Sequence, residues 1–345
     1  MEMLGQKLNS TNLNKMNWAY EAFYKTMVPI LDGLILVSGL VGQTLVITIL
    51  TGRRRKESQP PHGTDTLLLA LSAADLLLLL CLPFHTSAIS LGFWPFGPFL
   101  CKAISFLGVA CSAASVFTLA ALAVTRYLTV VHPTWAYRTR MHRHVKLTVV
   151  LLWIPALALA APQFAFRTLT ASRAVYCFAF LSDLSQLVYS TALFFFGFAL
   201  PLSIIVIMYA KIFCFLRHAR LLGNASHLER YQNQVTYTSA LLVVVFTLLW
   251  LPSYALMFSF IGRSITGSPG YNTIAILARL LASSVAVVNP VLYGLMSQKF
   301  RRDLLKLGRE RWTWCKSCLT GCLHVMSRDM VQPFELDTSS ERGQN

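Results

Sequence analysis

Seven long apolar blocks constrain this chain more than any other feature. They lie near 27–51, 65–90, 99–131, 146–166, 186–216, 235–261 and 271–296. A helix that crosses a bilayer needs roughly 20 mostly apolar residues, while an apolar run of about 10–14 suits a buried core helix. None of the blocks alternates with a period of two, which excludes the strands of a membrane β-barrel. Backbone polar groups in hydrocarbon must be satisfied within the segment, and an α-helix does this alone. The expected fold is therefore an all-α membrane protein, a seven-transmembrane helix bundle over 27–297. Charge supports this reading. Only 13% of the 345 residues are charged and 55% are hydrophobic, against about 25% charged in soluble domains. That excludes an ordinary cytosolic enzyme and a disordered chain.

The net charge of +16 comes from 30 Lys and Arg against 14 Asp and Glu. Twenty-one of the basic residues sit in the first, third and fifth gaps between blocks and in the tail, including Arg53, Arg54, Arg55 and Lys56. The opposite side holds seven: Lys7, Lys15, Lys25, Lys102, Arg167, Arg173 and Arg263. Lys and Arg collect in cytoplasmic loops, so the 1–26 segment is expected outside and the 313–345 tail inside. Asn9-Ser10-Thr11 is a glycosylation triplet on the outer side, whereas Asn224-Ala225-Ser226 falls inside, where none is expected. Basic residues that flank spans point to anionic inner-leaflet lipid and cytoplasmic partners, not to nucleic acid. The first 26 residues lack the apolar core of a cleavable signal, so the first span should act as its own insertion signal.

Ionisable residues at membrane depth are expensive and mark function. Here they are Asp32, Asp75, Arg126 and Arg279, with Lys102 close enough to an outer end to snorkel. Four scattered groups do not line a through-path for a channel, and no internal repeat of the transporter kind is present. No metal cluster or nucleophile–base pair points to an enzyme, so no catalytic or metal-binding residue is assigned. Around the four groups lie Leu71-Ser72-Ala73-Ala74-Asp75, Thr125-Arg126-Tyr127, Trp153, Pro201 with Tyr209, Phe246 with Trp250-Leu251-Pro252, and Asn289-Pro290-Val291-Leu292-Tyr293. Six motifs in order on seven spans resemble the rhodopsin-like (class A) G-protein-coupled receptors over roughly 27–312.

The resemblance implies a heterotrimeric G protein as partner, with arrestin and a receptor kinase as further cytoplasmic partners. It gives Arg126, Tyr127, Tyr209 and Tyr293 to coupling and activation. Phe246, Trp250 and Pro252 become a toggle, and Asp75, Ser115 and Asn289 surround a sodium ion, the one cofactor considered. By the residues alone, a lone carboxylate such as Asp75 is neutral or hydrogen-bonded, and Arg126 meets partners, water or lipid phosphate. Pro201, Pro252 and Pro290 each remove a helix hydrogen bond and favour a kink. The chain departs from the family at several positions. Gln43 after Gly42 replaces the first-span Asn, and Val285 and Ala286 stand where polar groups often help the ion. Thr125 and Gln232 replace the acids that hold the family's Arg at rest, which leads us to expect high basal activity.

Arg126 follows Cys101 by 25 residues, roughly 37 Å along a helix, so the two mark opposite ends of the third span. Cys177 falls in the second outer loop, between 167 and 185. These are the only outside cysteines, and the exterior is oxidising, so a Cys101–Cys177 bridge is expected, as in the family. Residues 298–312 form an expected interfacial amphipathic helix, with Phe300, Leu304 and Leu307 on one face among basic residues. Cys315, Cys318 and Cys322 beyond it are candidate palmitoylation sites. A zinc site is the alternative there, but the Cys-x-x-Cys lacks a matching second pair.

Gly108 stands where amine receptors of the family carry Asp, and 271–296 has no Lys of the opsin kind. The ligand-pocket candidates are His85, Thr86, Ser105, Gly108, Ser112, Gln163, Tyr254, Met257 and Arg279. Arg279 either meets an acidic group of the ligand or pairs with Asp32. Trp94-Pro95-Phe96-Gly97 resembles the outer-loop motif of peptide receptors, and Leu100-Cys101-Lys102-Ala103 with the 279–300 segment resembles the galanin, allatostatin and kisspeptin group. An extracellular peptide ligand follows from that resemblance. The alternative is a receptor-like protein that signals or scaffolds without agonist.

Overall fold

Six described helices are long and apolar enough to cross a membrane: Lys25–Arg53, Thr64–Leu91, Gly97–Val131, Leu147–Phe166, Leu184–His218 and Ile274–Leu292. A seventh apolar helix, Val243–Ser259, is shorter within the described residues. These are spans one to five, seven and six of the bundle. The computed structural model describes residues 2–56, 63–134, 141–171, 175–179, 183–221, 241, 243–259, 269–296 and 300–309. The first span belongs to a longer helix, Glu2–Lys56, so no break in helix marks the 26/27 boundary. The 300–309 helix belongs to a separate compact unit that begins at Gln298. There Phe300, Leu304 and Leu307 are less exposed than Arg301, Arg302 and Lys306, as the amphipathic pattern requires.

The third span is the most buried and the fourth the least, which places span three at the bundle axis. Small residues permit this. Ala74, Ala113, Ala114 and Ala156 form one buried cluster where spans two, three and four meet, and small side chains let backbones approach in a bilayer. Gly42 works the same way, because a Cβ there would lie 3.1 Å from Cγ of Pro290 on the seventh span. Outward faces carry Leu34, Val37, Val41, Ile154, Val188 and Leu248, all exposed, as lipid contact requires. Several hydroxyl groups in the spans are satisfied locally: Thr48, Thr118, Thr191 and Thr247 each donate to the carbonyl four residues earlier. Such back-bonding lets a polar residue sit in hydrocarbon without a partner elsewhere.

The fifth span is interrupted by a π-turn, Phe195–Ala199, directly before Leu200–Leu221. Pro201 has no N–H for the carbonyl four residues earlier, and a wide turn is one way a helix absorbs that loss. The 167–185 gap, read from the sequence as a loop, contains an antiparallel hairpin. Its strands are β1 (Arg167–Ala171) and β2 (Val175–Ala179), with Leu169 opposite Cys177. β1 packs on the third span near Cys101. Alternation over five residues was too short to separate a strand from a loop.

Candidate functional site

The spans enclose a cavity of about 290 Å³ in the half of the bundle nearer Cys101. Six expected residues line it: His85, Gly108, Ser112, Tyr254, Met257 and Arg279. Trp250 lies at its base side, between Phe246 and Tyr254 along the sixth span. A second compartment of about 350 Å³ is lined by Ser105, Arg167, Cys177, Trp94 and again His85. His85 lines both. The Cys101–Cys177 disulfide is formed, with Cα atoms 5.7 Å apart, and it fixes β2 beside this outer compartment.

Of the other three expected pocket residues, one lines the outer compartment and two bond elsewhere. Thr86 donates to Oδ2 of Asp32, not to the cavity. Ser105 belongs to the outer compartment, its Oγ 4.0 Å from Sγ of Cys177. Gln163 is engaged on both sides: its Nε2 donates to Tyr189 Oη at 3.1 Å, and its Oε1 accepts from Arg167 Nε at 2.8 Å. Tyr189 in turn donates to the Leu159 carbonyl at 3.0 Å, and Arg167 Nη1 to the Cys177 carbonyl at 3.2 Å. One hydrogen-bonded row thus runs from the fifth span through the fourth to the hairpin. Burial pushes the Arg167 guanidinium below its ordinary value, and Tyr189 opposes this. The sequence reading counted Arg167 only as a loop charge. The signal was its position four residues after Gln163, the spacing at which helical side chains meet.

Arg279 pairs with Asp32. Its Nη2 donates to Oδ2 at 2.6 Å, with Asp32 3% and Arg279 23% exposed. Thr86 shares the same oxygen, so spans one, two and seven meet at one carboxylate. Nε and Nη1 of Arg279 are buried and have no hydrogen-bond partner among the described residues, and Arg279 also lines the cavity.

Below the cavity an aromatic group couples spans five and six. Phe198 stacks on Phe246 at 5.5 Å and 10°, and meets Tyr254 at 5.3 Å. Phe246, Trp250 and Tyr254 follow one another at 6.5 and 6.3 Å. Gly197 makes this possible, since a Cβ there would fall 2.8 Å from Tyr254 Oη. Pro252 lies within the same helix. The first-loop motif is packing in this structure: Trp94 is buried with Cys81, Cys101 and Ile104, and its Nε1 donates to the Gly97 carbonyl at 2.9 Å. Gly97 has φ 77°, a conformation that favours glycine.

At the other end, the guanidinium of Arg126 makes no hydrogen bond or ion pair with a described residue. Thr125 does not hold it, because its Oγ1 donates back to the Ala121 carbonyl at 2.8 Å. Tyr127 sits edge-on to His132 at 5.7 Å and under Lys211 Nζ at 5.6 Å. Tyr209 is buried. Gln232, Glu229 and the Tyr293 side chain lie outside the described residues, as do the Asn9 side chain and Cys315, Cys318 and Cys322.

Asp75 is fully buried in mid-span. Its Oδ1 accepts from Ser115 Oγ at 2.8 Å, and its Oδ2 from Asn289 Nδ2 at 2.8 Å and Gln43 Nε2 at 2.9 Å. Spans one, two, three and seven thus converge on this carboxylate. Residues 42–293 match the model of the seven-transmembrane receptors of the rhodopsin family. The chain belongs to that family.

The receptor is 33% identical to galanin receptor type 1 of Rattus norvegicus over 274 residues, 78% of each chain. It is 34% identical to galanin receptor type 1 of Homo sapiens over 275 residues, again 78% of each. With galanin receptor type 3 of Homo sapiens it shares 31% over 293 residues, 82% of this chain and 80% of that protein. It is a multi-pass membrane receptor of the G-protein-coupled class. The sodium ion that the family implies does not fit the residues around Asp75. Both carboxylate oxygens already accept hydrogen bonds from this chain, and Val285 and Ala286 offer no side-chain oxygen.

Proposed function

We propose that this receptor is activated by an extracellular peptide entering at its Cys101 end, and that it signals to a heterotrimeric G protein at its Arg126 end. The observation that carries this is the pair of neighbouring compartments, about 350 and 290 Å³, both lined by His85, with Trp250 lining the deeper one. Two neighbouring compartments that share the His85 wall suit an elongated ligand whose leading residue enters the deeper one. Its walls are largely apolar, while Arg279 and Arg167 supply guanidinium groups to the inner and outer compartments. A ligand with an acidic group complements both. The galanin receptors among its relatives agree with the peptide-receptor resemblance of the first outer loop.

In this reading Phe246, Trp250 and Pro252 form the toggle beneath the ligand, and Arg126, Tyr127, Tyr209 and Tyr293 serve coupling. The N-terminus is extracellular with Asn9 glycosylated, and the tail is cytoplasmic with Cys315, Cys318 and Cys322 palmitoylated. Support for this orientation is the excess of 21 basic residues over seven across the two sides. Arrestin, a receptor kinase and anionic lipid are further partners on the basic face. The protein is a signalling receptor and not an enzyme. A peptide library screened on cells expressing the full chain, read by G-protein recruitment, tests the proposal. An active peptide should be roughly tenfold weaker on Arg279→Ala or Tyr254→Ala. A second reading, signalling without agonist, is favoured by the Arg126 guanidinium, which pairs with no described residue. Strong basal recruitment with no response to any peptide would select it.

A further inference from the structure

We propose that the Gln43 side-chain amide permanently replaces a monovalent cation beside Asp75, so that this receptor is indifferent to sodium. The amide nitrogen lies 2.9 Å from Asp75 Oδ2 and 2.8 Å from the Ala286 carbonyl oxygen. Its two N–H bonds therefore end on two oxygens of the kind a hard cation would take. The orientation is set by chemistry: turning the amide over would place Gln43 Oε1 against two acceptors. Gln43 is fully buried, as are Asp75 and Ala286.

A cation entering here would displace Gln43 from both oxygens. Two buried N–H groups would lose their acceptors, and a buried unsatisfied donor carries its full desolvation penalty. Ser115 and Asn289 hold the carboxylate as well, so three of its roughly four acceptor sites are taken. The reach of the amide depends on how close the first span comes to the seventh. Gly42 sets that approach, since a Cβ there would press on Pro290. Asn at position 43 is one methylene shorter, which draws its amide back from the two oxygens. The longer side chain is thus both the obstacle to the ion and the tie that replaces it between spans one, two and seven.

The experiment uses the full-length receptor in detergent micelles. Its thermal unfolding midpoint is measured in NaCl, KCl and N-methylglucamine chloride at equal ionic strength, for wild type and Gln43→Asn. An ion at about 100 times its dissociation constant stabilises the folded state enough to raise the midpoint by several degrees. The proposal expects the same midpoint in all three salts for wild type and a sodium-specific rise in Gln43→Asn. A sodium-specific rise in wild type overturns it. A flat response in both chains also overturns it, because the amide would not then be what excludes the ion. Should Gln43→Asn fail to fold, Gln43→Ser takes its place. Broadening of the ²³Na resonance by the wild-type chain, absent with Asp75→Asn, overturns the proposal without either variant.

Discussion

At the scale of single residues, two unusual charges decide how the receptor behaves. Arg126 pairs with no acid among the described residues, and the Thr125 hydroxyl is spent on Ala121. A resting latch of even about 1.4 kcal/mol would change a two-state ratio tenfold. Thr125→Asp should therefore lower ligand-free G-protein activation by up to about tenfold, measured at matched surface level against wild type. A silent wild type, or an unchanged Asp variant, would show that packing alone holds the resting state. Arg279 and Asp32 form the second case. Removing one partner of a buried pair costs about 3–5 kcal/mol. Arg279 is 23% exposed, so its loss belongs at the lower end, about 3 kcal/mol. Arg279→Ala should reduce the unfolding midpoint of the purified receptor, and the Asp32→Ala, Arg279→Ala double variant should lose less than the sum of the singles. Strict additivity would mean that the pair is not coupled in solution.

At the scale of elements, the fifth span carries information that its sequence hides. A π-turn over Phe195–Ala199 precedes Pro201 and presents Gly197 to the sixth span. The Tyr254 hydroxyl occupies the space a Cβ at 197 would take, at 2.8 Å. The ring is rigid and cannot bend away as a flexible tail would. Gly197→Ala should therefore overpack the contact and cost about 1–3 kcal/mol, and Tyr254→Phe in the same chain should recover most of it. The readout is the unfolding midpoint of each variant. An unaffected Gly197→Ala would show that spans five and six are looser than the stacked Phe198–Phe246 pair implies. The hairpin is the other such element. Its register aligns Cys177 with Leu169, and Arg167 ties its first strand to Gln163 at the end of the fourth span.

At the scale of the whole molecule, the disulfide and the charge asymmetry act together. The bridge closes a separation of 76 residues, tethering the hairpin to the third span beside the outer compartment. Removing a native disulfide costs about 2–5 kcal/mol in small secreted domains. Cys101→Ser and Cys177→Ser should impair surface expression to similar extents, because each releases the same hairpin. Normal expression and signalling in both would make the bridge dispensable. Epitope tags at the two ends, stained on intact cells, check the orientation. The N-terminal tag should be visible without permeabilisation and the C-terminal tag only after it.

The sequence by itself determined the membrane class, the number of spans, the family and the bridging cysteines. Each depends on composition over some 20 residues or on motifs whose members lie close along one helix, and a bilayer imposes those local demands on every span separately. Tertiary structure alone decided what the polar residues do with one another. Gln43, read as a departure from pattern, turned out to bind Asp75 and Ala286, because span one approaches span seven at Gly42. Thr86 was assigned to the pocket and instead serves Asp32, while Gln163 serves Tyr189 and Arg167. Apart from Gln163–Arg167, these pairings join residues 26 to 243 positions apart, and helical periodicity says which face a side chain occupies but not which neighbour packs against it.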